Sequence, residues 1–118
     1  MDAVSARHRT ILQIVATDST FELVRDDGER AWRGKCLHCR RALWIDVDGT
    51  PISEATIEHI QPRNHGGSDE LRNLALACAR CNHQKGVRHD NKRAQDPRRL
   101  ELVELLRLER ERRWRDPD

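Results

Sequence analysis

Cys36-Leu37-His38-Cys39 and Cys78-Ala79-Arg80-Cys81 bracket the pair Glu58-His59, and this arrangement decides how the chain folds. Four thiols in two C-x-x-C elements suit one tetrahedral zinc ion. A redox dithiol and unlinked structural cysteines are the competing readings. With zinc, the segment between the pairs is clamped at both ends, and it holds a histidine, a carboxylate and two asparagines. Such a stretch points toward metal-dependent chemistry on phosphate esters.

From the rest of the composition a metal staple is expected. The chain has 118 residues, enough for one domain with appended helices. Its hydrophobic and charged fractions are both 36%, and Phe21, Trp32, Trp44 and Trp114 are its only aromatic residues. A chain so poor in apolar volume builds a small core, and zinc supplies on the order of 10 kcal/mol of folding free energy in small zinc domains. No apolar run approaches the roughly 20 residues that span a bilayer, and no secretory signal is visible, so no membrane partner and a cytoplasmic setting with reduced thiols are expected.

The net charge of +2 hides an asymmetry. Residues 43–58 carry Asp46, Asp48, Glu54 and Glu58 with no lysine or arginine, whereas 83–115 carry eleven basic and six acidic residues, a local +5. Nucleic acid is one partner for the basic stretch, and a solvated helix face is the alternative.

Working outward, Val4, Ile11, Ile14 and Val15 predict a short amphipathic helix over 4–16. The runs 21–25 and 29–33 flank Asp26-Asp27-Gly28, a hairpin signal. Strands are expected over 43–47, 55–60 and 73–77, with Pro51 marking an edge. Arg63-Asn64-His65-Gly66-Gly67-Ser68-Asp69 is loop by composition, and a helix is expected over 78–87, ending near Gly86. Asp96 as cap and Pro97 at the first helical position start a C-terminal helix. Its Leu102, Val103, Leu105 and Leu106 share one arc, with Leu100 and Leu108 outside it. Glu109/Arg113 and Glu111/Arg115, four apart, suit an exposed helix that packs on the domain or on a second copy, or docks a protein partner. The expected division is 1–34 as an N-terminal extension, 35–90 as the core, and 96–115 as the C-terminal helix.

Taken in order, Ile57-Glu58-His59-Ile60-Gln61-Pro62, Gly66-Gly67, Asn73-Leu74 and Cys78-Ala79-Arg80-Cys81-Asn82-His83-Gln84-Lys85-Gly86 resemble the HNH endonucleases, in their zinc-stapled branch. The resemblance covers about residues 36–88. It implies an α+β fold with a ββα-metal core and a Cys36/Cys39/Cys78/Cys81 structural zinc. It also implies hydrolysis of double-stranded DNA leaving 5′-phosphate and 3′-hydroxyl ends. Phosphodiester hydrolysis needs an activated water and neutralised phosphoryl charge. His59 is the expected general base, since imidazole exchanges protons near neutral pH. Glu58 and Asn82 are the expected oxygen ligands of one Mg²⁺ or Mn²⁺ ion. Asn73 is expected to orient the histidine's loop without touching metal.

Two features depart from the commoner pattern: Glu58 stands where Asp is usual, and Asn82 where the pattern's last histidine falls. His83 would face about 100° away from Asn82 on a helix. Glu58 and His59 point to opposite faces of a strand, so they serve one phosphate only at the strand's end. Arg63, Arg80 and Lys85 are candidate phosphate contacts. His38, with four cysteines completing the zinc, is expected to be exposed, and His65 to be a solvated loop residue; His8 and His89 carry no signal. The alternatives to a nuclease are a catalytically inactive zinc-stabilised nucleic-acid-binding module and a protein-interaction module.

Overall fold

The structure, a computed structural model, describes residues 5–117. Helix α1 spans Ala6–Ala16. Ser5 caps it, its hydroxyl accepting from the His8 backbone N–H at 3.0 Å and satisfying one of the unpaired donors of the first turn. Ile11, Ile14 and Val15 are buried on one face, as the periodicity predicts; Val4 lies outside the described residues.

Strands β1 (Glu22–Asp26) and β2 (Glu29–Lys35) form the expected hairpin, and β3 (Ala42–Asp46) extends it to a three-stranded antiparallel sheet. The turn is Asp27-Gly28, with φ of 50° and 82°, a left-handed pair whose twist matches that of the strands it joins. Gly34 has a steric reason: a Cβ there would lie 2.4 Å from the ring of buried Phe21. Pro51 bridges Ile45 at the edge.

A second antiparallel pair follows, β4 (Ala55–His59) with β5 (Leu74–Cys78), in register Glu58↔Ala75 and His59↔Leu74. β5 is buried along its whole length. Helix α2 (Ala79–Lys85) leaves β5 directly, so strand, strand and helix make an α+β, ββα-metal core beside the four cysteines. The helix stops earlier than the sequence suggests. At Gly86–Asp90 the chain widens into a π-helical turn, which brings Asp90 onto the ammonium of Lys85, five residues earlier, at 2.9 Å.

Helix α3 (Pro97–Arg113) starts as read, with the Asp96 carboxylate accepting from the Arg99 N–H at 3.0 Å. Its buried face differs from the expected arc. Leu106 is buried and Leu102 and Val103 pack beside it on Leu37, Ile60 and Ala75, but Leu105 is 57% exposed. The inward stripe runs instead Arg99, Leu102, Val103, Leu106, Arg110, Arg113, at steps of three and four residues. The three arginines are buried because backbone carbonyls receive them. Arg110 donates to Leu74 O, Thr17 O, Thr17 Oγ1 and Leu71 O at 2.7–3.1 Å. Arg113 donates to Lys35 O and Cys36 O, and Arg99 to Ala94 O and Gln61 Oε1. Arg115, just past the helix, reaches Val15 O and Ala16 O rather than Glu111. Glu111 pairs with Arg72 at 2.7 Å, and Arg72 and Arg110 both stack on Trp114. Among the described residues no helix is long and apolar enough to cross a membrane.

Candidate active site and metal centre

The first C-x-x-C forms a knuckle between β2 and β3. Cys36 N–H donates to Arg41 O at 2.8 Å, Arg40 N–H donates back to Cys36 O at 3.1 Å, and Arg40 takes the positive φ (64°) that such a reversal requires. Leu37 N–H donates to Leu76 O, fastening the knuckle to β5. The second pair sits where β5 becomes α2. All four sulfurs lie within 4.8 Å of one another, with Cys39 and Cys78 at 4.0 Å. An ion with Zn–S bonds of about 2.3 Å has sulfur–sulfur edges of about 3.8 Å, so the cluster fits a metal such as zinc after a small contraction. The Arg41 N–H brings the exposed Cys39 thiol down to about 7, while burial raises Cys36 and Cys81. Bound metal would hold all four as thiolates.

Glu58 points from β4 toward this knuckle. Its side chain is 0% exposed; Oε1 lies 2.5 Å from His38 Nε2, and Oε2 has no partner. His38 is therefore not the free surface residue that the sequence suggests: its ring is 15% exposed and lies over the carboxylate. Leu37, buried beside it, turns the knuckle so that the next side chain meets β4. Asn82, on α2, abuts the same strand, its amide donating to Thr56 Oγ1 at 3.0 Å and Ile57 O at 3.2 Å.

His59 projects from the opposite face of β4. Its Nε2 lies 2.7 Å from Asp69 Oδ1, and it lines an open cavity of about 340 Å³ with Arg63, Asp69, Ile57 and α1 residues Arg7 and Thr10. The hydrogen bond to His59 and the neighbouring Arg63 hold the Asp69 carboxyl below its usual range, so it faces the imidazole as an acceptor. The loop that presents Asp69 is held by Asn73. The Asn73 amide accepts from Gln61 N–H at 2.8 Å and donates to Gln61 O and Ser68 O. Gly67 is obligatory in this fold-back, because a Cβ would lie 1.7 Å from Gln61 O. Nothing in the sequence singles out Asp69 among its neighbouring acids; the pairing appears only once the loop returns to the end of β4.

The basic candidates divide. Arg80 is exposed and forms no ion pair or hydrogen bond among the described residues, and Arg63 is exposed beside Asp69 at the rim of the His59 cavity. Lys85 corrects the sequence reading: its side chain is 1% exposed, and its ammonium donates to His59 O at 3.0 Å and to both oxygens of Asp90. It fixes the backbone of the candidate base and is closed to a phosphate. His65 likewise binds Asp90 O at 2.9 Å instead of standing in solvent.

Residues 36–88 match the family model of the HNH endonucleases. The match spans the knuckle, the β4–β5 pair and α2, so the likeness to HNH endonucleases carried by the motifs is shown over the ββα-metal core. No curated protein and no solved structure matches the chain.

Proposed function

We propose that this protein is a metal-dependent HNH endonuclease that hydrolyses DNA phosphodiester bonds. The observation that supports the reading is the end of β4, where two adjacent residues offer, on opposite faces of the strand, the kinds of group that hydrolysis needs. Glu58 supplies a buried carboxylate with an unpartnered oxygen, and His59 an imidazole steadied by a second acid.

With the Asp69 carboxylate accepting from Nε2–H, the His59 proton is held on that nitrogen and Nδ1 is left to take a proton from water. The water oxygen then bonds to phosphorus, the P–O3′ bond breaks, and the leaving O3′ takes a proton from solvent water to become a hydroxyl. Mg²⁺ or Mn²⁺ bound by Glu58 and Asn82 would supply charge neutralisation at the phosphoryl and leaving oxygens. Asn73 and Lys85 keep the loop and backbone around His59 in place. Arg63 and Arg80 serve as contacts to flanking phosphates of double-stranded DNA. Zinc on Cys36, Cys39, Cys78 and Cys81 staples the core.

His59→Ala should lower divalent-dependent nicking of supercoiled plasmid by about 10²–10⁴-fold, the usual weight of a general base, with zinc near one ion per chain. Full activity in that variant would remove the assigned base. One observation favours a second reading, a zinc-stabilised binding module without catalysis: the Glu58 side chain is wholly covered. That reading expects DNA retention with no cleavage in Mg²⁺, Mn²⁺, Ni²⁺ or Co²⁺.

A further inference from the structure

We infer that His38, inside the first cysteine knuckle, is a protein ligand of the divalent cation held at Glu58, so that one knuckle serves both metal sites. The inference rests on the nuclease reading of Glu58 and adds to it a residue outside the acid and amide pair.

Two independent observations meet at this point. The first is placement: His38 Nε2 faces Glu58 Oε1 at 2.5 Å. Two ligand atoms at about 2.1 Å from one ion and at right angles to each other stand about 3 Å apart, so a small opening of this contact seats a cation between them. With its proton on Nδ1, the imidazole offers the Nε2 lone pair to the same space as the carboxylate oxygen. The second is the orphan: Oε2 of Glu58 is buried with no donor, and a buried carboxylate oxygen without a partner is costly. A hydrogen bond from His38 alone does not relieve it. A cation does, because it takes one or both oxygens of the carboxylate.

The knuckle makes His38 a rigid donor. Cys36 and Cys39 flank it, Leu37 N–H is tied to Leu76 O, and Leu37 is buried among Ile60, Ala75 and Leu106. The imidazole is thus delivered to β4 by the same turn that delivers two thiols to the cysteine cluster. A nitrogen ligand also moves the preference of the site from Mg²⁺ toward Mn²⁺ and later transition metals.

The test uses the full-length, zinc-loaded chain titrated with Mn²⁺, read by electron paramagnetic resonance for affinity and by pulsed methods for coupling to a bound imidazole nitrogen. Wild type and His59→Ala should show the nitrogen coupling with equal affinity. His38→Ala should lose the coupling and bind Mn²⁺ about 10–100-fold more weakly, with zinc near one per chain. His38→Gln, which keeps a hydrogen-bonding group over Glu58, should lose the coupling too and carries the comparison if the alanine variant does not fold. Wild type without imidazole coupling overturns the inference whatever the variants do. Coupling or affinity retained in the His38 variants, with binding lost in Glu58→Gln, removes His38 as a ligand and leaves the nuclease reading standing. Unchanged Mn²⁺ affinity in Glu58→Gln overturns both.

Discussion

The cysteine-bracketed core and helix α3 are both dense in polar side chains, yet they use them in opposite ways. In the core, polar groups converge on space between elements: four sulfurs within 4.8 Å, a carboxylate with a spare oxygen, and an imidazole at a cavity rim. In α3 they are consumed by the fold itself. Arg99, Arg110 and Arg113 are buried, and each donates to at least one backbone carbonyl of β5, the knuckle or a neighbouring loop. A buried guanidinium with several acceptors acts as a bolt, and charge counting alone cannot tell it from a phosphate-binding surface. The difference separates polar residues grouped around shared space from those whose hydrogen bonds tie one element to another.

The largest effect should come from the core. Chelation of a metal held by the four cysteines, or Cys78→Ser, should remove a staple of the kind worth on the order of 10 kcal/mol in small zinc domains. Loss of the cooperative thermal transition is the expected outcome, followed by circular dichroism with metal content measured on the same sample. A chelated chain that melts as the loaded one does would make the cluster incidental to the fold. Arg110→Ala comes next. Burial pulls this guanidinium down to about 10, but Asp18 and Glu111 favour its charge, and its removal takes the side-chain donor from Leu74 O, while Leu71 O and Thr17 O keep the backbone N–H groups of Leu74 and Arg115. A loss of about 3 kcal/mol in urea unfolding is expected, the upper end of the roughly 1–3 kcal/mol for one buried group left unsatisfied, because the packing of the guanidinium on Trp114 is lost as well. A loss under about 0.5 kcal/mol would show that water replaces the arginine and that α3 is an appendage after all.

The contrast also explains what could be read in advance. The cysteine cluster is legible because coordination geometry fixes spacing: each C-x-x-C is a distance along the chain that translates directly into a distance in space, and the two pairs meet within 4.8 Å. Asp96-Pro97 and Asp27-Gly28 are legible for the same reason, being local backbone rules. His38, Asp69 and Lys85 were not, because their partners lie across the fold: Glu58 is twenty residues from His38, and Lys85 reaches back 26 residues to His59 O. A histidine between two cysteines has no preferred meaning until the knuckle docks on β5. The arginines of α3 defeat hydropathy for a related reason. A long side chain with an apolar stem and a forked donor scores as surface, yet it fits an interior lined by carbonyls.

The smallest effects fall on two adjacent leucines of α3 and test the register of that helix most sharply. An arc through Leu102, Val103, Leu105 and Leu106 gives both Leu105 and Leu106 a share of the contact, whereas a stripe continued by arginines gives it to Leu106 alone. Leu106 is 5% exposed against Leu37, Ile60 and Ala75, and Leu105 is 57% exposed. Leu106→Ala should therefore cost about 2–3 kcal/mol, the lower part of the range for a core leucine truncated to alanine. Leu105→Ala should stay within about 0.5 kcal/mol of wild type, as surface substitutions do. Urea unfolding of the two variants reads the difference directly. Equal losses would return Leu105 to the interface and turn the helix by about 50°, half the roughly 100° between adjacent residues, which takes Arg110 and Arg113 off the carbonyls they hold. The leucine pair thus checks, at the scale of one side chain, whether those arginines belong to the fold.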